Sequence, residues 1–444
     1  MHDLGTLPAW SALPFVGLLL SIALLPLTAP ALWHRHFPKV TAAWSAAFLG
    51  PFVLARGRDA VDEVVHVALV DYLPFVVLLA ALFTIGGGIH VRGALRGSPV
   101  VNATLLGTGT LLASWVGTTG AAMLVIRPLL RANRDRRHRA HTMVFFIALV
   151  ANVGGALTPL GDPPLFLGFL HGVPFAWTLG LWPETLLVGG CLLTLYLLHE
   201  LYFWRREDPA LRARPVGPRE PLRLEGVHNL VLLGGVLAAV VASGSVGAGG
   251  AGRAAGFARD GFLLLVLAAS WLTTPQRIRD ANGYSWGPIR EVAILFAGIF
   301  ATMIPALAML HAGAAGPLGF LIGAVRTPAQ FFWATGVLSS FLDNAPTYLT
   351  FLSTALGRLH PGVAEREAVA RLLAEHDAYL RAIAVGSVFM GANTYVANAP
   401  NFMVKAIAEE AGVRMPSFFG YVLRYSLPIF VPIFALTTWV FFRR

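Results

Sequence analysis

Two stretches decide how this chain reads: Gly155-Ala156-Leu157-Thr158-Pro159-Leu160-Gly161-Asp162-Pro163-Pro164 and Gly391-Ala392-Asn393-Thr394-Tyr395-Val396-Ala397-Asn398-Ala399-Pro400. Both follow the pattern Gly-Ala-x-Thr-x-aliphatic-small-Asp/Asn-x-Pro. Each interrupts a long apolar run, 142–170 and 381–410. Upstream of each lies another apolar region broken in its middle by small, polar or proline residues, 99–133 and 327–352. There Ser114-Trp115-Val116-Gly117-Thr118-Thr119 aligns with Ser340-Phe341-Leu342-Asp343-Asn344-Ala345. Two matches in the same order, at offsets of 226 and 236, point to an internal repeat. Backbone that unwinds at membrane depth cannot face lipid, where each unpaired N–H or C=O costs several kcal/mol. The breaks are therefore expected to be buried in protein or to line a water-filled cavity.

The membrane setting follows from composition. Of 444 residues, 56% are hydrophobic and only 13% charged, about half the charged share of a soluble domain. A soluble enzyme, a disulfide scaffold and a disordered chain are all excluded by this balance. Further apolar runs fall at 11–32, 39–55, 67–88, 184–203, 229–243, 260–274, 291–312 and 417–442, each near the length that crosses a bilayer. The N-terminus, Met1 to Trp10, has no Lys or Arg and so lacks the basic start of a signal peptide; the first run is expected to remain as a span. Suppose both broken hairpins enter and leave on one side, and the arginine-rich loop 127–141 is cytoplasmic. The segments 33–39, 89–98, 127–141, 204–228, 275–290 and 404–424 then share its side and hold 22 of the 33 Lys and Arg. That twofold bias satisfies the positive-inside rule and opens the two hairpins to opposite sides. The expectation is an all-α polytopic membrane protein of two inverted repeats, each with a re-entrant hairpin and a broken transmembrane helix. The first repeat is 1–203, with hairpin 99–133 and broken helix 142–170. A cytoplasmic linker covers 204–228. The second repeat is 229–444, with hairpin 327–352 and broken helix 381–410. A multi-pass protein of the cell inner membrane is expected, with the lipid bilayer as its surroundings.

Few charges lie at membrane depth. Asp162 and Asp343, one per half and each beside a break, are candidate ligands for a proton or a cation, Na+ first, because a carboxylate in a span is costly unless it works. The competing role is a cap on a half-helix. Around them stand Thr118, Thr119, Thr158, Asn344, Thr347, Asn393, Thr394 and Asn398, with Asn401 nearby. Their oxygens suit sodium, and their donors, with half-helix N-termini, suit an anion. Glu184 and Glu200 read as interfacial, Asp71 as lying at the outer end of its span, and 358–380 as a short amphipathic helix on the outer surface. The pairs His34/His36 and His138/His141 lack the Cys or acid that would complete a metal site. Cys191, the single cysteine, forms no intramolecular disulfide. There is no Walker motif and no nucleophile–base pair, so neither an ATP-driven pump nor an enzyme is expected. Nor is a nucleic-acid partner or a cofactor; Na+ and H+ enter only as transported or coupling ions.

Phe341-Leu342-Asp343-Asn344-Ala345-Pro346-Thr347 resembles the second-hairpin signature of the ion transporter superfamily, and Asn152-Val153-Gly154-Gly155 running on to Leu160-Gly161-Asp162-Pro163-Pro164 resembles its first broken helix. The chain is similar over roughly 65–442 to NhaD-type sodium:proton antiporters and to the related citrate and arsenite transporters. The resemblance implies a homodimer with a scaffold part and a transport part that moves like an elevator. Its dicarboxylate branch carries Ser-Asn-Thr at the hairpin tips; here the tips read Gly117-Thr118-Thr119 and Asp343-Asn344-Ala345. The expected activity is therefore secondary transport by sodium:proton antiport, with Asp343 central and Asp162 assisting. The alternative is cation-coupled transport or export of a small anion such as citrate or arsenite.

Overall fold

The computed structural model describes residues 7–213, 218–246 and 250–443; residues 1–6, 214–217 of the linker and 247–249 lie outside the described residues. Among the described residues, ten helices are long and apolar enough to cross a membrane, the longest Phe175–Arg205 and Arg58–Gly86. The chain is a helical, multi-pass membrane protein. Its outer helices show lipid-type surfaces: Leu54, Leu265, Leu272 and Val231 are all exposed, a pattern that water would penalise and acyl chains do not.

The most buried of these spans is Ala140–Leu157, in the first interrupted helix. The first helix pair is Pro99–Val116 and Thr118–Ala132, joined at Gly117, whose φ of 78° only glycine tolerates without strain. The second is Pro328–Ser339 and Asn344–Leu359. Each pair starts on a capped proline turn: the Ser98 hydroxyl accepts from the Val101 N–H, and that of Thr327 from the Gln330 N–H. The first broken helix runs Ala140–Leu149, a 3-10 turn Val153–Leu157, then Pro163–Leu170. The second runs Asp377–Met390, Gly391–Asn393, then Ala399–Glu410. The interruptions lie where the repeated motif stands, because Pro163 and Pro400 carry no N–H and can open a helix but not continue one.

Several expectations need correction. The segment 33–39 is not a loop: Pro30–Arg56 is one helix after a turn at Ala29, with Pro38 inside it. Hydropathy dips there because His34, Arg35, His36 and Lys39 are polar, not because the helix ends. The helix of the 260–274 run begins earlier, at Gly250. The linker contains a strand, Pro218–Glu225, which pairs antiparallel with His90–Leu95. Outside the membrane an alternating sequence such as Leu222-Arg223-Leu224-Glu225 satisfies its backbone as a ribbon, and Gly93 at φ 100° takes up the register shift. Glu184 and Glu200 stand near the two ends of Trp182–Arg205, as expected, but are buried in protein rather than exposed. Arg381 clamps Glu184 through two nitrogens at 2.8 and 2.7 Å. Glu200 bonds Arg136, His141 at 2.6 Å and Asn102 at 2.9 Å.

Five of the six basic segments meet on one face, and the sixth adjoins it. Besides the ribbon, Arg131 donates to the Val91 carbonyl at 2.6 Å, His90 bonds Asn282 at 2.7 Å, and Arg139 donates to the Gly412 carbonyl at 3.1 Å. The rings of His34 and Phe402 lie 6.3 Å apart. A different set gathers elsewhere: His171 with Glu365 at 2.7 Å and Asp71 at 3.8 Å, and Trp177 with Asp377 at 2.7 Å. The segment 358–380 is helical over Glu365–Glu375, with Ala368, Val369 and Leu372 turned inward.

Candidate functional site

The aligned residues of the two halves make the same local structure. Thr158 donates from its hydroxyl to the Ser114 carbonyl, and Thr394 to the Ser340 carbonyl at 2.5 Å. Their backbone angles match as well, φ/ψ of −142°/158° and −144°/164°. So do those of Asp162 and Asn398, −142°/144° and −149°/138°. Each threonine ties its break to the adjoining hairpin arm, so the unwound chain has a defined partner.

The freed backbone groups are accounted for within the protein. In the first half the Thr118 N–H donates to Gly161 at 2.9 Å, the Leu160 N–H to the Thr158 hydroxyl at 3.1 Å, and the Leu157 N–H to that of Ser114 at 3.0 Å. In the second half side chains serve the carbonyls. Asn401 donates to Gly391 and Thr394 at 2.8 and 2.9 Å, Tyr421 to Ala392 at 2.8 Å, and Ser426 to Asn393 at 2.7 Å.

Asp162 sits where the halves meet. It is 2% exposed, and three donors from three other segments reach its carboxylate: Asn344 at 2.5 Å, Thr118 at 3.3 Å and Asn398 at 3.5 Å. Its side chain does not cap Pro163–Leu170. Asp343 does cap its helix, accepting from the Ala345 N–H at 3.0 Å. Behind this layer Asn152 donates to the Ile147 carbonyl and to Asn401, both at 2.8 Å, locking one broken helix to the other.

Asp162 and Asp343 line one cavity of about 90 Å³ together with Thr118, Thr119 and Asn398. That volume holds several waters. Its two walls differ. One is polar and built from the breaks and hairpin tips. The other is carbon, contributed by Phe75–Phe83 and Pro288–Phe296 through residues such as Leu79, Phe83, Ile289 and Phe296. Among the described residues, no Lys, Arg or His lines the cavity. Four helices begin at it, starting at Thr118, Pro163, Asn344 and Ala399. The carbonyl ends of the preceding half-helices are instead bonded within the protein by Thr158, Thr394, Ser114, Ser340 and Ser426.

The other expected ligands stand back from the cavity. Asn344 serves Asp162, and its own Oδ1 has no hydrogen-bond partner among the described residues. Thr347 donates to the Asp343 carbonyl at 2.8 Å, and Asn393 to the Ser340 hydroxyl at 2.9 Å. Thr158 and Thr394 shape the backbone. Asn152 opens the first broken-helix motif quoted from sequence but was not named there as a site residue; its signal was a polar residue at the end of an apolar run, three residues ahead of the repeated Gly-Ala.

A search of curated proteins finds no match to this sequence. The sequence profile of a family described as putative citrate transport matches residues 4–442, nearly the whole chain; the chain thus belongs to that family, within the ion transporter superfamily, and is a secondary transporter by that kinship.

Proposed function

We propose that this protein carries a small carboxylate, citrate being the first candidate, together with coupling cations, Na+ or H+, bound at Asp162 and Asp343. One observation supports this above the rest: four helix N-termini and two carboxylates share a cavity with no basic side chain. Each helix start carries about half a positive charge. Four of them roughly balance two ionised carboxylates, so the empty site is close to neutral. A cation on the carboxylates leaves the helix ends uncompensated, and the site becomes attractive to an anion. Cation first, carboxylate second is then an electrostatic order rather than a mechanical one. Asp162 is the better cation ligand, since Asp343 already caps its helix.

The equivalent bonds and angles of the two halves support inverted repeats divided at 204–228, with the basic face in the cytoplasm of an inner membrane. The homodimer and the elevator-like motion belong to the same reading. A second reading, sodium:proton antiport, is favoured by two carboxylates in a cavity lined, among the described residues, by no Lys, Arg or His. Purified protein in proteoliposomes separates them. Labelled citrate uptake that depends on a sodium or proton gradient supports the first. Sodium-driven proton flux without citrate uptake supports the second and overturns the first.

A further inference from the structure

His360, Glu375 and His376 line no part of the carboxylate cavity. His360 follows the last turn of Asn344–Leu359. Glu375 ends the helix Glu365–Glu375, and His376 is the single residue before Asp377–Met390. Each offers one ligand atom, and the three atoms lie within 4.8 Å of one another. His360 is 7% exposed, and its Nε2 has no hydrogen-bond partner among the described residues. A buried ring nitrogen left without a partner is costly and calls for a reason. Both histidines are held at helix ends by backbone bonds, His360 N–H to Leu356 at 2.8 Å and His376 N–H to Leu372 at 2.9 Å. Glu375 is exposed.

We propose that His360, His376 and Glu375 form a binding site for a divalent transition metal of the zinc class, separate from the transport cavity. Two imidazoles and one carboxylate are a recognised zinc donor set, with water as the fourth ligand. Bonds of about 2.0–2.1 Å place tetrahedral ligands about 3.3–3.4 Å apart. Closing from the present spacing requires a carboxylate rotamer change and a small ring movement. Hard oxygen-seeking ions such as Mg2+ and Ca2+ gain little from two imidazoles. The bound ion would join the end of the second hairpin to the start of the second broken helix, giving a fixed clamp rather than a transported ion. Arg371, the nearby cation on the same helix, is already engaged by Glu367 at 2.6 Å.

The test uses tag-free, full-length protein in detergent, stripped with chelator and titrated with Zn2+ against a competing indicator. Binding of one zinc per chain at micromolar or tighter affinity is expected, with a rise in unfolding temperature. Co2+ should give the visible absorption of a tetrahedral site. Glu375→Gln and His376→Gln, changes at exposed or half-buried positions, should weaken zinc at least tenfold and remove the thermal shift while transport continues. Wild-type zinc affinity in His376→Gln, or no saturable zinc binding by the wild type, overturns the proposal. If His360→Gln misfolds, the other two variants still decide.

Discussion

Asp162→Asn is the sharpest perturbation of the cavity, because shape and charge separate there. The amide has the outline of the carboxylate. Of the three donors aimed at Asp162, those from Thr118 and Asn398 are long, at 3.3 and 3.5 Å, and only the 2.5 Å bond from Asn344 is strong. Asn344 carries an idle Oδ1, so rotating its amide lets it accept a hydrogen from the new side chain. Folding should therefore lose less than the roughly 1–3 kcal/mol of a stranded buried donor. The cation loses far more. A unit charge pair at 4 Å, with an effective dielectric constant near 20, is worth about 4 kcal/mol. At 1.4 kcal/mol per tenfold, that is roughly three orders of magnitude in sodium affinity. The assay is sodium-dependent citrate uptake in proteoliposomes, with sodium-induced thermal stabilisation of the same preparation as an independent reading of binding. Asp162→Asn should unfold within a few degrees of wild type yet show neither uptake nor stabilisation. Asp162→Ala should fail in both respects and unfold earlier, since it strands Asn344. A well-folded Asp162→Asn protein with the wild-type sodium half-saturation would refute the assignment.

Three further outcomes follow from the geometry. Burial alone would lower the His171 pKa, but Glu365 and Asp71 outweigh it and raise it from 6.5 to about 9. The charged ring therefore contributes stability, about 3 kcal/mol, that is fully present below pH 6.5 and lost as pH rises through 9; thermal unfolding between pH 6 and 10 should show this loss, and His171→Gln should flatten it. Glu200→Gln takes from Arg136 the nearer of its two buried carboxylates, leaving Glu207 at 3.6 Å, and takes from His141 its partner, which should cost at most about 3–5 kcal/mol, read as early unfolding in detergent with any surviving transport unchanged in sodium dependence. Gly117→Ala forces a side chain into φ 78° at the hairpin tip, a strain of about 1–3 kcal/mol that should raise the half-saturating sodium concentration more than it lowers the unfolding temperature.

The membrane class and both interruptions were legible because proline and glycine punctuate apolar runs in only a few physical ways. Asp162 and Asp343 were legible for the same reason: a carboxylate among Leu and Phe has few innocent explanations. Their division of labour was not. Whether an acid caps its own helix depends on a single side-chain torsion, and the structure gives the cap to Asp343 and withholds it from Asp162. The burial of Glu184 and Glu200 was not legible, because their partners, Arg381 and Arg136, lie 197 and 64 residues away in sequence, and no local pattern announces such a pairing. The ribbon between 90–95 and 218–225 was hidden likewise, since each strand alone resembles a polar loop. Thr158 and Thr394 counted as ligands from sequence; they turn out to bond the hairpin carbonyls, a task that any exposed hydroxyl at that position would look equally ready for.

The carbon wall of the cavity bears on how fast the cycle can run. Leu79, Phe83, Ile289 and Phe296 offer the polar wall nothing directional to hold. In the elevator-like motion proposed above, sliding past them would trade one set of dispersion contacts for another, each worth about 0.1–0.2 kcal/mol per atom pair, with no hydrogen bond broken and none awaiting repair. Such a surface would then act as a bearing. Friction along it is low in every loading state, so it cannot tell a loaded carrier from an empty one. On the charge balance proposed above, the discrimination has to come from the half-loaded state: the empty and fully loaded sites are near neutral, whereas cations without the carboxylate leave the helix ends uncompensated and are costly to carry past hydrocarbon. Leak, on this view, is governed by the chemistry of Asp162 and Asp343 rather than by the fit of the wall. Substituting a polar residue for Ile289 or Leu79 should slow every mode of the cycle together without making it less tightly coupled.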